Sequence, residues 1–524
     1  MSTHQRFDIC IIGTGAGGGT LLHRLAPSGL RILVLERGGF LPRERENWDE
    51  REVFTNGRYL AKEQWLDSDA KPFSPYTHYW VGGNTKVYGA ALLRLRESDF
   101  GAVRHYGGVS PAWPVPYDDF EPYYTRAERM YSVHGRAGSD PCEPRRSGGY
   151  PFPPVEFEPR MGALADALAA QGLRPFPCAL GVRLPQDHAP NGARTVLSNF
   201  DGYPDLTQAK ADAEVVGVNP ALAHPNVTLL TGARAERLET DAAGRAVRRV
   251  IVERGGEREV YEADLFVVAC GAVNSAALLL RSTGDRHPRG LANSSGLVGR
   301  HYMCHNNGLA IAVVNKPNPS QFQKAFAITD FYHRAPDSDL PLGTIQLMGK
   351  PDADFLSSLI GERLPGVPKS DLWTRTIDFF ITAEDLPDPD NRVTVEPDGR
   401  IRLHYRENNM EAYSRLRAKL VHAVGIAEQG AEFVGLKLGI SGVSHQSGTL
   451  RFGRDPSSSV LDTHCRAHDL DNLYACDSSF FPSSGAVNPS LTIMANALRV
   501  GDHLLERTGR TLPRETSAHA CASC

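Results

Sequence analysis

FDICIIGTGAGGGTLLHRLA, residues Phe7–Ala26, sets five glycines between Gly13 and Gly19, straight after an apolar run. Phe7–Ile12 reads as a buried strand, and Thr20–Leu25 as the helix after the glycines. LRILVLE, Leu30–Glu36, reads as a second buried strand. Together they make a βαβ unit and commit this end of the chain to a parallel sheet. Gly13, Gly15 and Gly18 fit the spacing G-x-G-x-x-G. The first allows the tight turn, the second lets backbone approach a pyrophosphate, and the third lets helix and strand pack closely. Phosphates then meet free N–H groups at the positive end of the helix dipole. Such a unit needs an acid at the end of its second strand to bind a ribose hydroxyl, and Glu36 stands there, 23 residues after Gly13. Thr14 and Ala16 fill the loop, and Arg37 follows the acid. The loop holds a dinucleotide. FAD and NAD(P) are bound by the same physics, so the loop alone does not choose between them.

At 524 residues the chain exceeds one ordinary core, and two domains are expected. Its 41% hydrophobic and 23% charged residues are those of a globular protein. A formal net charge of −4 offers no basic field for nucleic acid or an anionic membrane, which leaves a small molecule as the partner. No stretch reaches the ~18 apolar residues of a membrane span. The N-terminal run ICII meets glycine at once and does not make a secretory signal, so a cytoplasmic location is expected. Nine scattered cysteines suit free thiols in a reducing compartment. The end HACASC, with Cys521 and Cys524, reads as part of a flexible tail over 513–524. No metal site is expected.

Residues 40–160, rich in Pro, Gly and aromatics, read as long ordered excursions. The pattern predicts a helix over Glu158–Gln171 and a strand-rich block over 226–272. Short β-like runs such as GLAIAVV and GTIQLMG fill 305–400. A second helix is predicted over Glu411–Glu428, with Leu416, Leu420, Ala423, Val424 and Ile426 as its apolar positions. No second strand–G-x-G-x-x-G–helix is present, which disfavours a separate nicotinamide site.

Near the other end, NLYACDSS reads as a short strand running into Asp477, and NPSLTIMANALRVGDHLL as a helix with Pro489 in its first turn. Taken alone, Asn488 is a helix cap and His445 a loop histidine.

Taken together, these segments resemble the glucose–methanol–choline (GMC) oxidoreductase family of FAD-dependent alcohol oxidases and dehydrogenases. The resemblance rests on Gly13–Gly18 with Glu36, WVGGNTKVYGAAL (Trp80–Leu92), WPVPYDDFEPYY (Trp113–Tyr124), ACGAVNSAALLLRS (Ala269–Ser282), LPDPDNRVTV (Leu386–Val395), HQSGT (His445–Thr449) and CDSSFFPSSGAVNPSLTIMANALR (Cys476–Arg499). GGNTKVYGAAL, DFYHRAP and VNPSLTIMANALR look most like its pyranose oxidase and glycoside 3-oxidase branch. The family implies an α/β fold. A Rossmann-like FAD-binding domain with a parallel sheet (1–100, 205–304, 441–512) interleaves with a substrate domain on a mostly antiparallel sheet flanked by helices (101–204, 305–440).

Alcohol oxidation removes a hydroxyl proton and a carbon-bound hydride. The hydride can go to flavin N5, so the protein must supply a base and an orienter. A neutral histidine suits the first role. The resemblance assigns His445 as general base and Asn488 as hydrogen-bonding partner. It brings Gly82, Gly83 and Asn84 to the flavin face and Asp477 to the ribityl–pyrophosphate. Asn488 and Thr492 border the pyrimidine ring, and the backbone near Ala233 meets the adenine. Arg94 and Gln346 match sugar-contacting positions. The histidine that ties flavin covalently in fungal pyranose oxidases has no counterpart in GGNTKVYG, so dissociable FAD is expected. ARTVLSNFDGYPDLTQAK (Ala193–Lys210) lacks the cysteines of similar bacterial sequences and carries Asp205; substrate preference is expected to depart there. The implied reaction is oxidation of a secondary hydroxyl of a sugar or glycoside, at C2 or C3, with O2 as acceptor. A dehydrogenase using a quinone or cytochrome remains the alternative, and a flavin-binding scaffold without turnover is disfavoured by His445 and Asn488.

Overall fold

The computed structural model describes residues 6–184, 200–351 and 353–512. The tail with Cys521 and Cys524, and residues 193–199 of the cysteine-free stretch, lie outside them.

The N-terminal unit forms as its pattern requires. Strand β1, Arg6–Ile12, leads through the glycines into helix α1, Ala16–Leu25, and then into β2, Ile32–Leu35. β2 is buried throughout, as a strand covered on both faces must be. Strands β3 (Val227–Leu230), β4 (Ala233–Thr240), β5 (Val247–Arg254) and β6 (Glu257–Val268) complete this sheet with a short strand at Leu473–Ala475. Its order is β3-β2-β1-β6-β5-β4, with the short strand also on β6. β4, β5 and the start of β6 form an antiparallel meander with exposed charges. The end of β6 runs parallel between β1 and Leu473–Ala475 and is wholly buried.

Register places the functional loops. Ile12 pairs with Leu35 and with Val268, and Val268 pairs with Ala475. Four parallel strands therefore end at one level; Gly13, Glu36 and Ala269 follow immediately, and Asp477 after one further residue. Ligands of open α/β sheets bind at such carboxyl ends.

A second, antiparallel sheet comes from later segments: β7 (Asn306–Val313), β8 (Phe326–Ile328), β9 (Thr344–Leu347), β10 (Thr376–Ala383) and β11 (Glu432–Lys437). Its order is β11-β7-β10-β9-β8, with Phe176–Pro177 at the edge. One row of partners crosses it: Leu436, Leu309, Phe380, Gln346 and Ala327. Because side chains alternate faces, the neighbours Ala310, Ile345, Leu347, Phe379 and Ile381 point to the other side. There they pack on the helices Pro159–Ala169 and Met410–Ala427 through Met161, Leu164, Leu416 and Leu420. Ile426, read as apolar contact, is instead exposed one residue from that helix end.

The hairpin Arg392–Val395 and Ile401–His404, which the family pattern groups with the antiparallel sheet, pairs instead with strands at Trp65–Leu66 and Pro72–Phe73. The C-terminal helix, α2, Ser490–Arg507, packs on α1 and on the helix Tyr117–Met130. Thus the chain's two ends share one core. Seven described cysteines are free thiols. Among the described residues no helix is long and apolar enough to cross a membrane.

Candidate active site

A cavity of about 590 Å³ starts at the glycine loop and ends beneath the antiparallel sheet. Gly13, Gly15 and Glu36 line its first end, and Phe380, His445 and Asn488 its other.

The first end fits a dinucleotide. Gly13 has φ +103°, and a Cβ there would lie 2.3 Å from the carbonyl oxygen of Ala269. A Cβ on Gly18 would lie 2.0 Å from the Gly13 carbonyl oxygen. Only glycine permits this packing of loop, helix and β6. A Cβ on Gly15 would meet nothing within 4 Å, because Gly15 faces open cavity. No side chain caps α1 at Gly15, and no acid occupies its first turn. That leaves its N–H groups for an anion. Glu36 Oε2 accepts from Thr14 N at 3.0 Å and from Thr14 Oγ1 at 2.6 Å, and Oε1 accepts from Gly38 N at 2.9 Å. Burial raises the Glu36 pKa, and these bonds oppose the rise. Gly82 N donates to Thr14 Oγ1 at 3.1 Å, and Gly83 lies directly over Gly15. Asn84 Oδ1 accepts from His78 N at 2.8 Å. Ala16, Arg37, Asn84, Ala233 and Asp477 face the cavity. Arg37 stacks on Tyr79 and pairs with Glu63 at 3.1 Å, while Ala233 N donates to the Glu36 carbonyl at 2.9 Å. Asp477 accepts from Gly271 N at 2.9 Å, from the Ser275 hydroxyl and from Ser479 N, and burial raises its pKa.

The other end joins distant segments. Met303 and Ser447 form an antiparallel bridge with bonds of 2.8 and 3.0 Å. Two residues further along that register, His305 meets His445, with Nδ1 to Nδ1 at 3.0 Å. Asn488 sits two residues before α2 and leaves the helix uncapped. Its Oδ1 accepts from Gln346 Nε2 at 2.6 Å, which turns Nδ2 toward His445 Nε2 at 3.4 Å.

These bonds assign one tautomer. His305 Nε2 lies 3.3 Å from the Ser484 carbonyl, which can only accept. His305 Nδ1 is then the acceptor, and His445 Nδ1 donates to it. His445 Nε2 is left with its lone pair, facing the cavity beside an amide donor. Asn307 Nδ2, 3.4 Å from His445 Nδ1, donates to the Cys304 carbonyl at 3.2 Å. Phe380 closes the ring's side at a centroid distance of 5.8 Å.

Burial holds the His445 pKa well below its ordinary value, and His305 and Lys324 lower it further. Burial likewise lowers the His305 pKa, and Asp385 and Glu384 oppose that fall. A lowered pKa keeps the imidazole neutral, hence basic, below the ordinary value of about 6.5. The rate of anaerobic flavin reduction is therefore expected to hold level from about pH 8 to about 6.5, with its acid fall below that. A fall centred at or above about pH 6.5, followed by stopped-flow absorbance, would contradict the geometry.

Several expected contacts lie elsewhere. Arg94 was expected at the sugar, but its five donors are spent on Glu128, Glu121, Tyr117 and Thr125 of the helix Tyr117–Met130 at 2.8–3.1 Å. It is 2% exposed and does not face the cavity. Thr492, expected at the pyrimidine ring, is buried and bonds Tyr124 at 2.8 Å; Ser490 and Ile493 face the cavity instead. Gly18 and Gly82 shape the loop without lining it. Gln346 is buried behind Asn488 and acts on the amide, not on the cavity directly. Asp205 closes a local turn with Thr207 and Lys210, and Asp201 is the carboxylate that reaches the cavity. Sequence patterns gave no sign of His305, Lys324 or Asp201.

The chain matches the GMC oxidoreductase family in its N-terminal part over residues 79–307 and in its C-terminal part over 381–497. It is 33% identical to 6'''-hydroxyparomomycin C oxidase of Streptomyces lividus and 32% identical to paromamine 6'-oxidase of Streptomyces fradiae, each over 94% of this chain and 90% of the relative. Fructose dehydrogenase large subunit of Gluconobacter japonicus is 25% identical over 95% of this chain and 97% of its own. Among solved structures, pyridoxine 4-oxidase from Mesorbium loti superposes with a TM-score of 0.66 at 20% identity, covering 96% of this chain and 99% of that one. Formate oxidase of Aspergillus oryzae gives 0.69 at 15% identity, covering 97% and 100%.

Proposed function

Because the chain belongs to the GMC oxidoreductase family, enzymes that act on CH–OH groups, we propose that it oxidises a secondary hydroxyl of a sugar or glycoside, at C2 or C3, to a ketone. FAD is the cofactor, held without a covalent bond, and O2 the acceptor. The observation that carries this reading is the meeting of His445 Nε2 and Asn488 Nδ2, 3.4 Å apart, in the same cavity that the glycine loop opens. FAD bound there supplies the two-electron acceptor for the hydride.

The chain's own residues do the rest. His445 Nε2 takes the hydroxyl proton, and the tautomer set by His305 leaves that nitrogen free to do so. Asn488 Nδ2 donates to the substrate oxygen, and Gln346 keeps the amide from turning over. Phe380, Leu309 and Leu436 give the cavity an apolar floor. The sugar class draws support from the relative named for fructose.

The deciding experiment is anaerobic bleaching of the flavin by a panel of monosaccharides and O- and C-glycosides, with simple secondary alcohols as controls. At least one sugar should bleach it faster than any control; bleaching by the controls alone would refute the sugar reading. Peroxide yield against dye reduction on the same substrate then separates O2 from a quinone or cytochrome as acceptor.

A further inference from the structure

A polar part of the cavity wall is built from two segments that no motif marks. Lys324 stands just before β8, and Asp201 in a loop far from it in sequence; both face the cavity. Lys324 Nζ donates to Asp201 Oδ2 at 3.0 Å. The same oxygen accepts from Gly349 N at 2.6 Å. Lys324 lies two residues before β8 and Gly349 two residues after β9, and these neighbouring strand ends both reach Asp201. Lys324 is 5% exposed. Gly89, also on the wall, is kept bare by the pair, since a Cβ there would lie 1.8 Å from Asp201 Oδ1 and 2.7 Å from Lys324 Nζ.

A structural ion pair alone accounts poorly for this arrangement. Burying two charges costs more than their attraction returns unless further bonds satisfy them. Lys324 has three N–H donors, and Asp201 is its one acceptor among the described residues. Asp201 Oδ1 has no donor among them either. Among the described residues, then, two ammonium donors of Lys324 and one carboxylate oxygen of Asp201 have no partner, on the wall of the chamber that holds His445. The other charges there are already committed. Lys350 Nζ donates to the Trp373 and Thr376 carbonyls at 2.7 Å and lies 3.7 Å from Asp378.

We propose, on the sugar reading given above, that Lys324 and Asp201 form the subsite that recognises a vicinal diol of the substrate. One hydroxyl of the pair donates to Asp201 Oδ1, and its neighbour accepts from Lys324 Nζ. Each hydroxyl can play either part, and both bonds are charge-assisted. The pair is neutral overall, so the substrate is an uncharged polyol ring, and Asn488 and His445 act on a carbon outside the gripped diol: C2 with the diol at C3 and C4, or C3 of a free sugar with the diol at C1 and C2.

The test compares a reactive pyranose with its monodeoxy analogues in the wild-type enzyme and in the double variant Lys324→Gln/Asp201→Asn, by anaerobic flavin reduction. The double variant removes both charges together, so neither is left buried alone. Flavin absorbance and the thermal midpoint report that it has folded. In the wild type, deletion of either of two adjacent hydroxyls should lower kcat/KM by about 10- to 100-fold, the loss of a charge-assisted bond. In the double variant those two penalties should shrink to within about threefold, while penalties at other positions stay. A double variant that binds flavin and keeps the wild-type pattern overturns the assignment. So does a wild type without an adjacent pair of penalties, whatever the variant does. A wild type that no sugar reduces overturns the sugar reading itself, and shows it before any variant is made.

Discussion

Replacing His445 with alanine should slow flavin reduction at least about 100-fold while leaving flavin bound. General-base catalysis is worth about 10²–10⁴-fold. Its neighbours in the bond chain cannot take its place: Asn488 has no titratable group, and His305 is buried behind His445 with its Nε2 on the Ser484 carbonyl. Flavin should stay, because His445 makes no contact with the glycine loop, Glu36 or Asp477 through any hydrogen bond. The substitution also strips partners from His305 Nδ1 and Asn488 Nδ2, at a cost of about 1–3 kcal/mol in stability. A glutamine at this position separates the two effects. It can return a hydrogen bond but not accept a proton, so it should be nearly as slow as alanine with a higher thermal midpoint. Turnover within a few-fold of wild type in either variant would refute the base assignment.

Behind that prediction stands a chain of bonds with one direction. It runs from Gln346 through Asn488 to His445 Nε2, and from His445 Nδ1 through His305 to a backbone carbonyl. The backbone end cannot reverse, which fixes the tautomer at the catalytic end. The first half starts from Gln346 on the antiparallel sheet, and the second crosses beside the bridge between Met303 and Ser447. Two separate registers thus have to agree for one nitrogen to be basic.

How much of this was legible follows from where each contact is made. The glycine loop, Glu36 and both strands were readable because β1 pairs with β2 and Glu36 bonds Thr14 within thirty residues, and because the geometry at Gly13 and Gly18 restricts residue type. His445 and Asn488 were readable only through the family pattern. As single residues they have bland alternatives, and one of these, Asn488 as a cap, is wrong here. Arg94 was misplaced although its signal was present. Glu121, Thr125 and Glu128 lie on one face of a helix, and that face makes a ready pocket for a guanidinium. His305, Lys324 and Asp201 were not legible. Each meets its partner in a segment more than a hundred residues away, His445 for His305 and Lys324 and Asp201 for each other, and alternation tells which face a residue takes but not which segment lies beside it.

Alanine at Gly15 should abolish most flavin binding without unfolding the protein, whereas alanine at Gly13 should do both. Gly15 has φ −66° and ψ −162°, extended backbone open to any residue, and an added methyl meets no protein atom within 4 Å. The apoprotein should fold with an unchanged thermal midpoint. The methyl does, however, occupy the space where backbone must approach a pyrophosphate at the start of α1. Losing that close approach costs charge-assisted bonds, so FAD should bind at least about tenfold more weakly. Gly13 differs in kind. Its φ of +103° already disfavours a side chain, and the methyl would lie 2.3 Å from the Ala269 carbonyl oxygen, which forces β1 from β6. Fluorimetric titration of the apoproteins with FAD, beside their thermal midpoints, reads the contrast directly. Acid precipitation of the wild type should leave its yellow colour in the supernatant, so occupancy reports affinity alone. A Gly15→Ala protein that holds flavin as tightly as wild type would mean that the phosphates sit elsewhere, and the cavity would have to be read from its other end.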